Sequence, residues 1–128
     1  MARIITKQKS LVMIHKNEAA IAIIDIMPEA KDDIQTALNK SAFAVVQLFT
    51  QKIKQLVADE RLALAEQAMK IMDKIYGQGD QLLKLAVEHT FIFSLRSIAA
   101  RTKNPCFWGC VPMGLYTAYI HQIYRSNI

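Results

Sequence analysis

Apolar residues recur along most of this chain at the spacing of one helical face, with polar residues filling the gaps between them. At about 100° per residue, Ile34, Leu38, Val45, Phe49, Ile53 and Leu56 share a face, with Thr36, Lys40, Gln47, Gln51 and Lys54 opposite. Further on, Leu62, Ala65, Met69, Met72 and Tyr76 form a second stripe, opposed by Glu66, Lys70, Asp73 and Lys74. On a continuous rod the second stripe would sit about 135° around from the first. One packed core cannot use both. The pattern therefore predicts a break near Val57–Arg61, with Asp59 and Glu60 giving the new helix an acidic first turn. The competing reading keeps the rod straight and shares it within a swapped dimer.

Punctuation sets the remaining boundaries. Pro28 disfavours helical geometry in the residue before it, so the first helix ends at Met27. Ser10 and Asn17 are both acceptable N-caps for its start. Pro28 and Glu29 suit the first turn of a second helix, which runs on to the break without a glycine or proline. Gly77-Gln78-Gly79 ends the third helix, and Asp80 caps a fourth over about 81–99. That fourth helix is apolar almost all round (Leu82, Leu83, Leu85, Val87, Phe91, Phe93), which predicts a central position. A connector over 102–111 leads to Pro112, which opens a last helix with Leu115, Tyr116, Tyr119, Ile120 and Ile123 on its apolar face. Residues 1–9 read as a tail or a short extended piece. The expectation is a single all-α domain over 1–128, a compact antiparallel bundle of four to five helices around the central one.

Composition agrees with this picture. The 128 residues are 52% hydrophobic and 21% charged, with four Gly and three Pro, too few for the many turns of an all-β design. No stretch approaches the roughly 20 apolar residues that span a bilayer, so no membrane role is expected. The apolar run Leu11 to Ile14 is too short for the core of a signal peptide, which makes the cytoplasm the default location.

Charge adds a further pattern. Residues 1–17 carry four bases and no acid, 18–88 carry eight bases and eleven acids, and 89–128 carry four bases and no acid. Basic ends can attract acidic partners, nucleic acid included. Placement of lysines and arginines near helix C-termini accounts for much of the segregation.

Candidate chemistry is sparse. Cys106 and Cys110 do not have the Cys-x-x-Cys spacing of redox enzymes, and a disulfide between them would contribute roughly 2 kcal/mol at most. His89 and His121 could join them around zinc, but the histidines lack the close spacing of a finger. Glu-x-x-His, His-Glu-x-x-His and Gly-x-Ser-x-Gly motifs are absent, as is a glycine-rich phosphate loop. No catalytic residue, metal ligand or cofactor is assigned.

Seven of the ten aromatics fall within 91–124, among bases and no acids. Phe107 and Trp108, flanked by Arg101 and Lys103, have the aromatic-plus-cation composition of interface anchors. Phe43 joins them because it falls on the polar side of the second helix. The sequence thus points to a non-enzymatic protein–protein interaction module, a small regulator, adaptor or subunit, with Phe43, Arg101, Lys103, Phe107 and Trp108 as contact residues. Its partner is another protein or a second copy in a homodimer. The alternative is a nucleic-acid-associated protein that uses the basic termini and the aromatic C-terminal third.

Overall fold

Burial follows the helical stripes closely enough to gather one hydrophobic core from every helix among the described residues. The structure, a computed structural model, describes residues 13–126. Its helices are α1 (Lys16–Ile26), α2 (Lys31–Leu38), α3 (Ala42–Ala58), α4 (Leu62–Gln78), α5 (Gln81–Val87), α6 (Phe93–Ala99) and α7 (Met113–Ser126). A π-helical turn over Glu88–Ile92 joins α5 to α6 without interruption, so the described residues form six helical rods. Among the described residues no helix is long and apolar enough to cross a membrane. The expected tail over 1–9 and the Ser10 cap lie outside the described residues.

α1 starts one residue before Asn17. His15 is its N-cap, and the Glu18 carboxylate accepts from the His15 amide at 2.9 Å. Pro28 terminates α1 as expected and opens a 3-10 turn, Pro28–Ala30, that runs straight into α2.

The expected second helix is in fact two. α2 stops at Leu38, and Ser41, with an extended backbone, accepts at its hydroxyl from the Ala44 amide at 3.0 Å to start α3. The Lys16 ammonium donates to the Leu38 carbonyl at 3.3 Å, satisfying an orphan group at the end of α2. The break near Val57–Arg61 is present. Arg61 N donates to Leu56 O at 2.9 Å and Glu60 N to Val57 O at 3.0 Å, the paired bonds of a Schellman turn. Glu60 takes the left-handed position of that turn at φ 59°, where glycine is usual. Asp59 and Glu60 therefore close α3 instead of forming the first turn of α4. α4 then folds back on α3, which rules out the shared straight rod.

The middle of the bundle belongs to α3, not to the 81–99 rod. α3 packs against α1, α2, α4, α5, the π turn and α6. Val45, Phe49, Ile53 and Val57 are fully buried along it. The 81–99 rod buries Leu83, Val87, Phe91 and Leu95 but leaves Leu82, Leu85 and Phe93 exposed. Its buried side chains recur every fourth residue, a spacing that drifts about 40° per step on an ideal α-helix. The extra residue of the π turn absorbs that drift. Beneath it, Thr90 donates to the Ala86 carbonyl at 2.6 Å and Thr50 of α3 to the Val46 carbonyl at 2.8 Å, so this buried polar pair is satisfied.

The α4–α5 corner anchors the chain before α1. Ile14 bridges Gly79, with Ile14 N donating to Gln78 O at 2.8 Å and Asp80 N to Ile14 O at 2.9 Å. Asp80 caps α5 by accepting from the Leu83 amide at 3.0 Å, as expected, and also meets His15 Nδ1 at 2.7 Å. The Leu83 amide, and after it the His15 side chain, hold the Asp80 carboxyl below its ordinary range.

Candidate interaction surface

The connector after α6 is irregular in sequence yet closely tied down. Thr102 donates its hydroxyl to the Glu60 carboxylate (2.8 and 2.9 Å) and accepts from the Asn104 amide at 3.1 Å. Asn104 in turn accepts from the Cys106 amide at 2.8 Å, an Asx turn that leads into a 3-10 turn over Phe107–Cys110. Glu60, held in its left-handed conformation, thus gives the connector a fixed purchase at the far end of the α3–α4 corner.

Phe107 is 1% exposed and joins the main core, where the 3-10 turn packs on α4. It is a core residue and not a surface contact, because the connector folds back over the bundle and drives this ring inward. Trp108, the next residue, points the other way and stays 38% exposed. Its ring lies edge-on to Phe107 (centroids 5.5 Å, 77°) and to Tyr116 (5.9 Å, 75°), and tilted over Tyr119 (5.3 Å, 32°). Trp108, Val111, Met113, Tyr116 and Tyr119 wall a hollow of about 570 Å³. Among the described residues no carboxylate, imidazole or thiol lines it.

A second carboxylate fixes the far wall. Asp73 of α4 accepts from the Leu115 backbone amide in the first turn of α7, capping that helix from a neighbour. Burial outweighs this bond and leaves the Asp73 carboxyl above its ordinary range. Gly114 permits the approach: a Cβ there would stand 2.5 Å from Asp73 Oδ1. Gly114→Ala is therefore expected to displace Asp73 and loosen the start of α7, at a net cost of up to about 1 kcal/mol once the helix propensity of alanine is set against the lost cap. Trp108 is the chain's one tryptophan and leans on α7, so its emission should redden in the native state of this variant. An unchanged spectrum and an unchanged urea midpoint would remove Asp73 from this role.

The other predicted contact residues are scattered. Arg101 and Lys103 are exposed in the connector and make no ion pair among the described residues. Phe43 is 46% exposed on the first turn of α3 and is not part of the hollow. Tyr116 was expected on the packed face of the last helix but stands half-exposed, while Leu115 is fully buried. Met113, Tyr116 and Tyr119 are the partners of Trp108 that sequence reasoning did not place beside it. The one-dimensional signal for them was weak, since aromatics at helical spacing read as core.

Among the described residues no three His, Cys, Asp or Glu side chains converge as a metal would require. His89, Cys106, Cys110 and His121 thus do not form the zinc tetrad that was considered. Both thiols are free, and burial, with Glu66 and Cys106 adding to it, raises the Cys110 thiol above its ordinary range.

On the opposite flank of α7 lies a polar cleft of about 450 Å³, lined by Tyr76, Glu88, His121, Gln122 and Arg125 among others. The Tyr76 hydroxyl donates to Glu88 Oε2 at 2.8 Å, and Gln122 Nε2 donates to the Glu88 carbonyl in the π turn at 3.0 Å. Burial first, then the Glu88 hydrogen bond and charge, push the Tyr76 phenol up to about 12. A raised phenol favours the folded state fully below the unfolded value of about 10. That contribution is lost as pH rises towards 12. Absorbance at 295 nm should show a tyrosine ionisation as pH approaches about 12, and Tyr76→Phe should abolish that late step. A parent chain without the late step would contradict the Tyr76–Glu88 bond.

No curated protein and no solved structure matches the chain. A family model described as a domain of unknown function (DUF7674) matches residues 20–125, which takes in α2 to α6 whole, α1 from residue 20 and α7 as far as residue 125. The chain belongs to that family.

Proposed function

We propose that this protein is a non-enzymatic interaction module that docks a protein partner in the aromatic hollow around Trp108. The observation that carries the reading is the half-open seat of the only tryptophan, in a hollow whose walls are tied to the bundle from two directions. Tryptophan and tyrosine present large areas at low cost in conformational freedom, and rigid aromatic seats dominate binding energy where they occur. The largely apolar lining supports docking over catalysis, since its only ionisable side chains are the phenols of Tyr116 and Tyr119, with no carboxylate, imidazole or thiol beside them among the lining residues. Arg101 and Lys103, exposed in the connector that carries Trp108, add cations that would steer an acidic partner. We place the protein in the cytoplasm, where the thiols of Cys106 and Cys110 stay reduced.

The test is affinity capture from cells of the source organism on the immobilised full chain, in parallel with Trp108→Ala and Tyr116→Ala. A protein held by the parent chain, rebinding when purified and held at least tenfold less by both variants, is the expected outcome. Equal retention by the variants overturns the reading. Capture that a nuclease abolishes favours the nucleic-acid alternative, and loss of a parent-chain dimer in Trp108→Ala by light scattering identifies the partner as a second copy.

A further inference from the structure

On the flank of α7 away from the Trp108 hollow, opposite charges face one space without meeting. The cleft of about 450 Å³ at Tyr76 adjoins a groove of about 380 Å³ beside Phe93, and Glu88, Gln122 and Arg125 line both. One trough therefore crosses the π turn over Glu88–Ile92, an irregularity that often marks functional sites. Both volumes fall in the range of small-molecule sites.

Glu88 and Arg125 share this lining, yet among the described residues they form no ion pair. The Tyr76 hydroxyl holds the Glu88 carboxylate through Oε2 at 2.8 Å. Its other oxygen, Oε1, receives no hydrogen bond among the described residues, and no buried side-chain oxygen there lacks a partner, so Oε1 reaches solvent. Arg125 is exposed, and its charge reaches the same pair, drawing the Tyr76 phenol down against the larger effects of burial and Glu88. A lone anion in the trough would meet Glu88, and a lone cation would meet Arg125. A ligand that carries both charges satisfies each. Phe93, 76% exposed in the same lining, offers an apolar surface to the rest of such a ligand. We infer that the trough binds a free α-amino acid with an apolar side chain, its ammonium on Glu88 Oε1, its carboxylate on Arg125 and its side chain against Phe93. The site goes beyond the docking hollow and shares no lining residue with it. An internal peptide segment lacks both charges, and a nucleic acid would set its phosphates beside Glu88.

Amide spectra of the isotope-labelled full chain, recorded while each standard α-amino acid is titrated to tens of millimolar, test this. Leucine, methionine or phenylalanine should shift the amides of Glu88, Phe93 and Arg125 saturably. The N-acetyl and carboxamide derivatives of the same amino acid each lack one charge and should bind at least tenfold more weakly. Glu88→Gln and Arg125→Ala should weaken the free amino acid by a similar factor, and Phe93→Ala should erase the preference for an apolar side chain. Glu88→Gln keeps an acceptor for the Tyr76 hydroxyl, and Arg125 and Phe93 are exposed, so the variants keep the fold, which their own amide spectra check. No saturable shift with any amino acid, equal binding of either derivative, or unchanged affinity in Glu88→Gln or Arg125→Ala would each overturn the inference. Shifts confined to the amides of Trp108, Tyr116 and Tyr119 would overturn it as well, by placing the ligand in the hollow.

Discussion

Phe107→Ala is expected to cost about 3–5 kcal/mol of stability, lowering Tm by roughly ten degrees or more in a chain of this size. The side chain is 1% exposed and is among the largest fully buried groups in the bundle. Its truncation removes apolar area and leaves a void that the 3-10 turn, held at Asn104 and Cys106, cannot easily close. The consequence reaches the surface as well, because Trp108 is the next residue and leans edge-on against this ring. Urea unfolding followed separately by far-UV dichroism and by Trp108 emission should show both midpoints falling. A loss below about 1 kcal/mol, within the range of surface substitutions and small repacking, would mean that the connector is not anchored through Phe107.

Gly79→Ala is the second large effect, at about 2–3 kcal/mol. Gly79 is buried at the α4–α5 corner, and a Cβ there would collide with the Ile75 backbone carbonyl and stand 2.9 Å from the Leu83 Cβ. A carbonyl in the last turn of α4 cannot swing aside without losing the Gly79 amide that it accepts at 2.8 Å. Relief would also pull on Ile14 and Asp80, which bond this corner to the chain before α1. Gly77, two residues earlier, is the internal control. A Cβ there meets nothing within 4 Å, so Gly77→Ala should stabilise by about 0.5–1 kcal/mol through helix propensity. Opposite shifts in the urea midpoint are expected from these neighbouring substitutions. Shifts of the same sign would contradict the packing described at the corner.

The sequence pattern reached the helices with some depth because burial obeys a period that propensity and proline only punctuate. The jump in phase at 57–61 allowed a turn or a shared straight rod, and the packing of α4 on α3 selects the turn, while Asp80 after Gly79 starts a helix as its capping chemistry suggests. The corner at 39–41 escaped because α2 and α3 leave it in register: Ile34 and Leu38 continue smoothly into Val45 and Phe49, with no glycine or proline between. The polar run Asn39-Lys40-Ser41, with Ser41 as a capping residue, was the available signal. The π turn escaped for a related reason. A strict 100° wheel makes the 81–99 rod apolar on all sides, whereas the four-residue spacing of Leu83, Val87, Phe91 and Leu95 marks the inserted residue.

At the candidate site, composition singled out Trp108 but not its walls. The hollow needs Met113, Tyr116 and Tyr119 brought back from the next helix, which is seated on the core by the fully buried Leu115 beside Asp73 of α4. Neither the glycine at 114 nor the aspartate at 73 announces such a contact in one dimension. Phe107 and Trp108 look alike in sequence, and only the fold separates a core ring from a surface one.

The most direct test of the hollow as a docking surface uses its own tryptophan. Once a protein captured by the parent chain has been purified, it can be titrated in with excitation at 295 nm, the partner's own tryptophan emission being subtracted with a parallel titration of Trp108→Phe. The account predicts a saturable blue shift as the half-exposed ring is covered, with an affinity at least tenfold weaker when Tyr116 is replaced by alanine. Binding seen by calorimetry with the Trp108 spectrum unmoved and the Tyr116→Ala affinity unchanged would contradict it.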